Sequence, residues 1–170
     1  MIILVCPLSQ VPAVIRARRP SHLITLLDPE HQIETPSGVA PDRHLRLGVH
    51  DVSAPFEHMT PPEADHVRKI LEFGRGWSEA DPILVHCWAG ISRSTATAFV
   101  LACERNPHVD EQVIARRLRL ASTTASPNRR IVALADDLLG RGGRMVDALV
   151  AMGANETGWE AQPFELPARF

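Results

Sequence analysis

A thiol and a guanidinium stand six positions apart in the stretch Ile83-Leu84-Val85-His86-Cys87-Trp88-Ala89-Gly90-Ile91-Ser92-Arg93-Ser94. The apolar, partly β-branched run ending at His86 predicts a short buried strand. Cys87 to Arg93 then reads as a tight loop, and Ser92 to Cys103 as the helix leaving it. Such a junction is an anion site. The first amides of a helix have no partner inside it, and the helix dipole places partial positive charge there. The same positive potential favours the thiolate of Cys87, the nucleophilic form of cysteine. Arg93 supplies a planar fork that suits two oxygens of one phosphate. Gly90 lets the backbone turn so that several amides face one point.

The order His86-Cys87, five residues, Arg93-Ser94 resembles the signature of the cysteine-based protein tyrosine phosphatase superfamily. Its inner part, Ala89-Gly90-Ile91-Ser92-Arg93-Ser94, is most similar to the compact dual-specificity branch. A second local match, Ser126-Pro127-Asn128, resembles the Pro-Asn helix start in the late helical region of those enzymes. The resemblance runs from about residue 44 to 139 and is sharp only in the loop. It implies that Cys87 attacks phosphorus to give a covalent thiophosphate. The amides of Trp88, Ala89, Gly90, Ile91, Ser92 and Arg93, with the Arg93 fork, would bind the phosphoryl oxygens and stabilise the transition state. His86 would help to hold the loop. Ser94 would give its hydroxyl to the thiolate and ease departure of sulfur; its plainer reading is a good first-turn helix residue.

The loop holds no acid to protonate the leaving oxygen. In the family, an aspartate on a separate loop some thirty-odd residues earlier does so. Asp51 lies 36 residues before Cys87, directly after a predicted strand. Its plainer reading is an Asx-turn cap. Asp42 and Asp65 are rivals, and Glu57 shares the Asp51 loop.

These residues need a scaffold. Ile2–Cys6, His22–Leu27 and His44–Val49 read as strands preceding Ile83–His86. Ser9 is placed to cap a short helix running to Arg18, the Asp28-Pro29 pair ends the second strand, and 50–59 is loop. Thr60-Pro61-Pro62-Glu63 reads as a helix start with Thr60 as cap and Glu63 completing a capping box. Val67, Ile70, Leu71 and Gly74 form its buried stripe. Further helices are expected after Asp110 (Val113, Ile114, Arg117 and Leu118 on one side), after Ser126-Pro127 (Ile131, Leu134, Ala135 and Leu138), and over Arg144–Met152. The expectation is an α/β fold: a short central sheet flanked by helices, with the catalytic loop between a strand and a helix. Residues 1–152 form one domain, and 153–170 a tail of low order.

With 170 residues, 45% of them apolar, and a formal net charge of −2, the chain has an ordinary globular composition and no polyanion-binding character, so no nucleic-acid partner is expected. It shows no signal peptide and no segment long enough to span a bilayer, so no membrane is expected either. Three cysteines, Cys6, Cys87 and Cys103, suit a reducing cytoplasm. Arg and Ala richness points by association to a bacterial genome. Cys103 reads as core, and Cys6 as core or as a thiol near enough to Cys87 to trap its oxidised form. No histidine pair has helical metal spacing, so neither metal nor cofactor is expected. Trp88 either lines the pocket or wedges the loop against the core, and Phe56 and His58 are candidate walls. The reading is a cytoplasmic phosphomonoester hydrolase acting on a phosphorylated protein or a small phosphoester. The loop lacks the lysines that phosphoinositide enzymes of the family carry. Two other classes stay open: a phospho-binding module without turnover, and a rhodanese-like sulfur transferase.

Overall fold

Nearly every residue of Ile2–Pro7, His22–Leu27 and Ile83–Cys87 is buried, whichever way its side chain points. Strands carry such sequences where both faces of their sheet are covered. The computed structural model describes residues 1–78 and 80–170. In it these runs are β1 (Ile2–Pro7), β2 (His22–Leu27) and β4 (Ile83–Cys87), joined by β3 (His44–Gly48) and β5 (Phe164–Pro167). The sheet order is β3-β2-β4-β1-β5. The first four strands are parallel, and β5 runs antiparallel to β1. β4 therefore lies at the centre, between β2 and β1, and ends at Cys87.

One face of the sheet packs on α1 (Val11–Arg18) through Leu4, Cys6, Val14, Ile15, Leu23 and Leu84. The other face carries the main core beneath α2 (Ala64–Gly76), α3 (Arg93–Arg105), α4 (Glu111–Ala121), α5 (Arg129–Leu138) and α6 (Arg144–Met152). α3 is buried at every position from Arg93 to Cys103. A helix enclosed on all sides is held in place by its neighbours, so the loop that feeds it is anchored at its C-terminal end. Gly74 allows α2 to lie close on α3, because a Cβ there would drive into Leu101. Among the described residues, no helix is long and apolar enough to cross a membrane.

The structure corrects four local expectations. Ser9 does not cap a helix: its hydroxyl donates to Glu160 Oε1 at 2.6 Å, and a 3-10 turn, Leu8–Gln10, precedes α1. α2 begins at Ala64 with Glu63 as its cap, in a reciprocal box with His66, and not at Pro61. Pro62 drives Pro61 into extended backbone, and Thr60 is engaged elsewhere. It accepts from the His50 amide at 2.8 Å and donates its own amide to His50 Nδ1 at 2.9 Å. On α4, Val113 faces solvent, while Glu111 turns inward because Arg141 and Arg144 meet it at 2.9 and 3.2 Å. Finally, residues 153–170 are not a loose tail. Leu166 and Ala168 enter the core, and β5 covers the outer edge of β1, an edge that would otherwise expose unpaired amides and carbonyls.

Candidate active site

Between β4 and α3 the backbone carbonyls are tied outward. Trp88 O accepts from Leu8 N at 3.0 Å, and Ala89 O from Ala161 N at 2.8 Å. Ile91 O accepts from Ser126 N at 2.9 Å, and Ser92 O from Asn128 N at 3.3 Å. In a trans peptide the N–H points opposite the carbonyl. The amides of Ala89, Gly90, Ser92 and Arg93 are thus turned toward the inside of the loop. Gly90 sits at φ +72°, and a Cβ on it would lie 2.8 Å from Pro7 N, so only glycine lets the loop fold back against the end of β1.

At the base of the loop Cys87 is 2% exposed, and its Sγ lies 3.1 Å from Ser94 Oγ in the first turn of α3. Arg93, equally buried, uses Nη1 twice, donating to Asp28 Oδ1 at 2.8 Å and to Val49 O at 2.6 Å. Its Nε is buried with no hydrogen-bond partner among the described residues. A buried donor left unpaired is costly, and an oxyanion seated in the loop would satisfy it. Asp51 Oδ2 lies 4.0 Å from that nitrogen.

Asp51 is fixed from the other side. Its Oδ1 accepts from Ser92 Oγ at 2.7 Å and from Asn128 Nδ2 at 2.8 Å. Asn128 caps α5, its Oδ1 accepting from the amides of Arg130 and Ile131. With Oδ1 accepting twice, a proton on this carboxyl belongs on Oδ2, the oxygen facing Arg93. The other candidates lie apart from the loop. Glu57 is exposed and pairs with His58 at 3.5 Å, Asp65 pairs with Lys69 at 2.7 Å on the face of α2, and Asp42 is exposed in a 3-10 turn, Pro41–Arg43.

Asp28 is the residue that the sequence did not flag as functional. Read only as a strand terminator, it reaches Arg93 with Oδ1, and its Oδ2 accepts from Trp88 Nε1 at 3.1 Å. The one available signal was its position at the carboxyl end of a strand in a parallel sheet, where ligand sites concentrate. Trp88 is 41% exposed with its ring edge-to-face on His31 at 5.6 Å, so it stands at the mouth and does not wedge into the core. Phe56 is likewise exposed. Asp28, Glu30 and His31 also bring ligand atoms within 4.8 Å of one another. Both Asp28 oxygens already accept hydrogen bonds, and the other two residues are exposed, so the group is explained without an ion. Cys6 lies on the α1 face of the sheet and Cys87 on the other; Cys103 is buried inside α3. The thiols of Cys6 and Cys87 therefore point apart. Burial first, then the neighbouring Cys87 and Glu160, pushes the Cys6 thiol up to about 12.

His86 is fully buried, and its partners form a chain. Its Nδ1 faces Cys87 O at 3.4 Å, and its Nε2 lies 2.7 Å from Thr25 Oγ1. The same hydroxyl lies 2.8 Å from His44 Nε2, and His44 Nδ1 lies 3.0 Å from Thr35 Oγ1. With both rings neutral, a carbonyl at one end leaves one consistent order. Nδ1 of His86 donates, Thr25 donates to His86 and accepts from His44, and Thr35 donates to His44. The low pKa values of His86 and His44 agree with neutral rings. Burial, the largest cause in each case, holds each at about 4 against an ordinary 6.5. Between these values the unfolded chain binds protons that the folded chain refuses. Stability is therefore expected to fall as pH drops from about 6.5 and to stop falling from this source below about 4. Urea unfolding at pH 7 and pH 5 checks this. His44→Gln should shrink the loss between the two pH values, and an unchanged loss would remove His44 from the chain of bonds.

Residues 45–124 match the family model described as protein-tyrosine phosphatase. No curated protein matches. Among solved structures, DUSP15 superposes with a TM-score of 0.62 at 16% identity, over 88% of this chain and 89% of that one. A structure of PTPMT1 in complex with PI(5)P gives 0.60 at 14% identity, over 89% and 94%. Human DUSP28 gives 0.59 at 17% identity, over 89% and 95%. The matched segment holds Asp51, Cys87, Arg93 and Ser94, and the mixed five-stranded sheet flanked by helices is the architecture of these structures. Residues 45–124, just under half of the chain, thus match the protein-tyrosine phosphatase model, and the chain has the fold of the compact dual-specificity phosphatases.

Proposed function

We propose that this protein is a phosphomonoester hydrolase working through a phosphocysteine intermediate on a phosphorylated protein or small phosphoester. The observation that carries the reading is the buried Arg93 Nε, which has no hydrogen-bond partner among the described residues and lies 4.0 Å from Asp51 Oδ2. In the first step the Cys87 thiolate attacks phosphorus as the bond to the leaving oxygen breaks. The loop amides and the free edge of Arg93 hold the three equatorial oxygens, where transition-state charge gathers. The Asp51 Oδ2 proton passes to the leaving oxygen. In the second step water attacks phosphorus, Asp51 takes its proton, and the S–P bond breaks. Ser94, 3.1 Å from the sulfur, donates to the thiolate as it departs.

Asp51 lies 4.0 Å from Arg93 Nε and is bonded to Ser92 of the loop that Cys87 opens, which favours turnover over phosphate binding alone. Arg93-Ser94 and the preceding His86 favour phosphate over sulfur transfer. Residues 88–92 include no lysine, which favours phosphoprotein or small phosphoesters over phosphoinositides. Three free, buried cysteines support a cytoplasmic location. The test is hydrolysis of p-nitrophenyl phosphate in excess EDTA. Nucleophile, charge stabilisation and proton donor all come from side chains and amides, so the rate is expected to be undiminished. Loss of activity in EDTA, restored by a divalent cation, would overturn this mechanism.

A further inference from the structure

Asp28 is held by no other carboxylate's task. It closes β2, the strand beside β4, and its side chain is about a quarter exposed, at 23%. Its two oxygens serve two groups. Oδ1 takes Arg93 Nη1, together with Val49 O, so the guanidinium cannot swing, and the edge left for a ligand is the Nε side. Oδ2 takes the Trp88 indole N–H, and His31 meets the ring from its edge. The indole is thereby fixed as an exposed apolar surface on the residue following Cys87. One carboxylate thus couples the phosphoryl-binding cation to an aromatic wall at the mouth.

Resting on the phosphatase reading above, we infer that Asp28 is a positioning residue with two separable effects. Through Arg93 it sets the edge that grips the phosphoryl group. Through Trp88 it gives the site a preference for aryl over alkyl phosphomonoesters. The first effect belongs to kcat and to phosphate affinity, since a misplaced guanidinium costs about 10²-fold. The second belongs to the ratio of kcat/KM between aryl and alkyl esters. An aromatic pair adds about 2–10-fold beyond simple burial.

The two arms are separated with Asp28→Asn and Asp28→Ala, Glu30→Gln serving as the neighbouring carboxylate control. Each is assayed on p-nitrophenyl phosphate and on O-phosphoserine, and titrated calorimetrically with inorganic phosphate. Asp28→Asn keeps an amide oxygen for Arg93 but turns an NH₂ group against the indole N–H. It should therefore retain most of kcat and phosphate affinity while losing the aryl preference by about 2–10-fold. Asp28→Ala should lose both the preference and about 10²-fold in kcat, with weakened phosphate binding. Glu30→Gln should keep kcat and the preference. An unchanged aryl-to-alkyl ratio in Asp28→Asn overturns the wall, and undiminished kcat with full phosphate affinity in Asp28→Ala overturns the grip. If Asp28→Ala does not fold, the Asp28→Asn ratio still decides the wall, and Asp28→Ser, too short to reach Arg93, takes the place of Asp28→Ala: undiminished kcat with full phosphate affinity there overturns the grip. A native protein that binds no phosphate and turns over neither ester overturns the phosphatase reading itself.

Discussion

Cys87→Ser is expected to abolish hydrolysis of an aryl phosphate while leaving inorganic phosphate binding largely intact. The serine hydroxyl fits where the thiol sits, 3.1 Å from Ser94 Oγ, and none of the outward-tied carbonyls is touched. What changes is nucleophilicity: a hydroxyl at neutral pH is a far poorer nucleophile than a thiolate. Binding measured by calorimetry and turnover measured on the same preparation separate the two effects. Residual hydrolysis at the native rate would rule out the phosphocysteine. Arg93→Lys provides the complementary test. Lysine keeps the charge but cannot hold Asp28 and Val49 O while offering a second edge to the phosphoryl group. By analogy with loss of one oxyanion-hole donor, the rate should fall about 10²–10³-fold, this time with weakened phosphate binding.

For Asp51→Asn the expected loss depends on the leaving group. Expulsion of p-nitrophenolate needs little proton help, whereas phenol or an aliphatic alcohol needs much. The variant should be modestly slowed on the first and slowed by about 10²–10⁴-fold on the second. Asparagine keeps an oxygen for Ser92 and Asn128, so the loop and phosphate affinity should survive. Glu57→Gln is the comparison, since that carboxylate is exposed and engaged with His58. If the leaving-group dependence appears in Glu57→Gln and not in Asp51→Asn, the acid assignment reverses.

The strand, loop and helix around Cys87 were legible because they are local. An apolar strand, a glycine that must turn and a buried helix follow one another without interruption, and each is dictated by its own residues. Asp51 was reachable only by spacing from a known pattern, since nothing in its neighbours says that Asn128 will hold it. Asp28 was opaque for a stronger reason. Its meaning comes from β2 lying next to β4, a pairing between residues 61 positions apart that periodicity does not encode. β5 escaped because Phe164 and Leu166, between two prolines, are too short a pattern to separate from loop. They form a strand only because β1 offers an unpaired edge. The start of α2 was misplaced because a threonine ahead of proline resembles a cap wherever its true partner, His50, is out of view.

The bond from Ala161 N to Ala89 O gives the order of synthesis a chemical meaning. Cys87, Arg93, Asp51 and Asn128 all emerge before the amide that ties down the loop's second carbonyl, and β5 is made later still. At about 5–20 residues per second, the thiol waits several seconds for residue 161 after Arg93 has been joined. During that interval the nascent chain carries its nucleophile without a completed cradle, and β1 keeps one side unpaired. The cradle is thus completed only once residue 161 has been made, and a chain interrupted before it would carry Cys87 without the tie to Ala89 O.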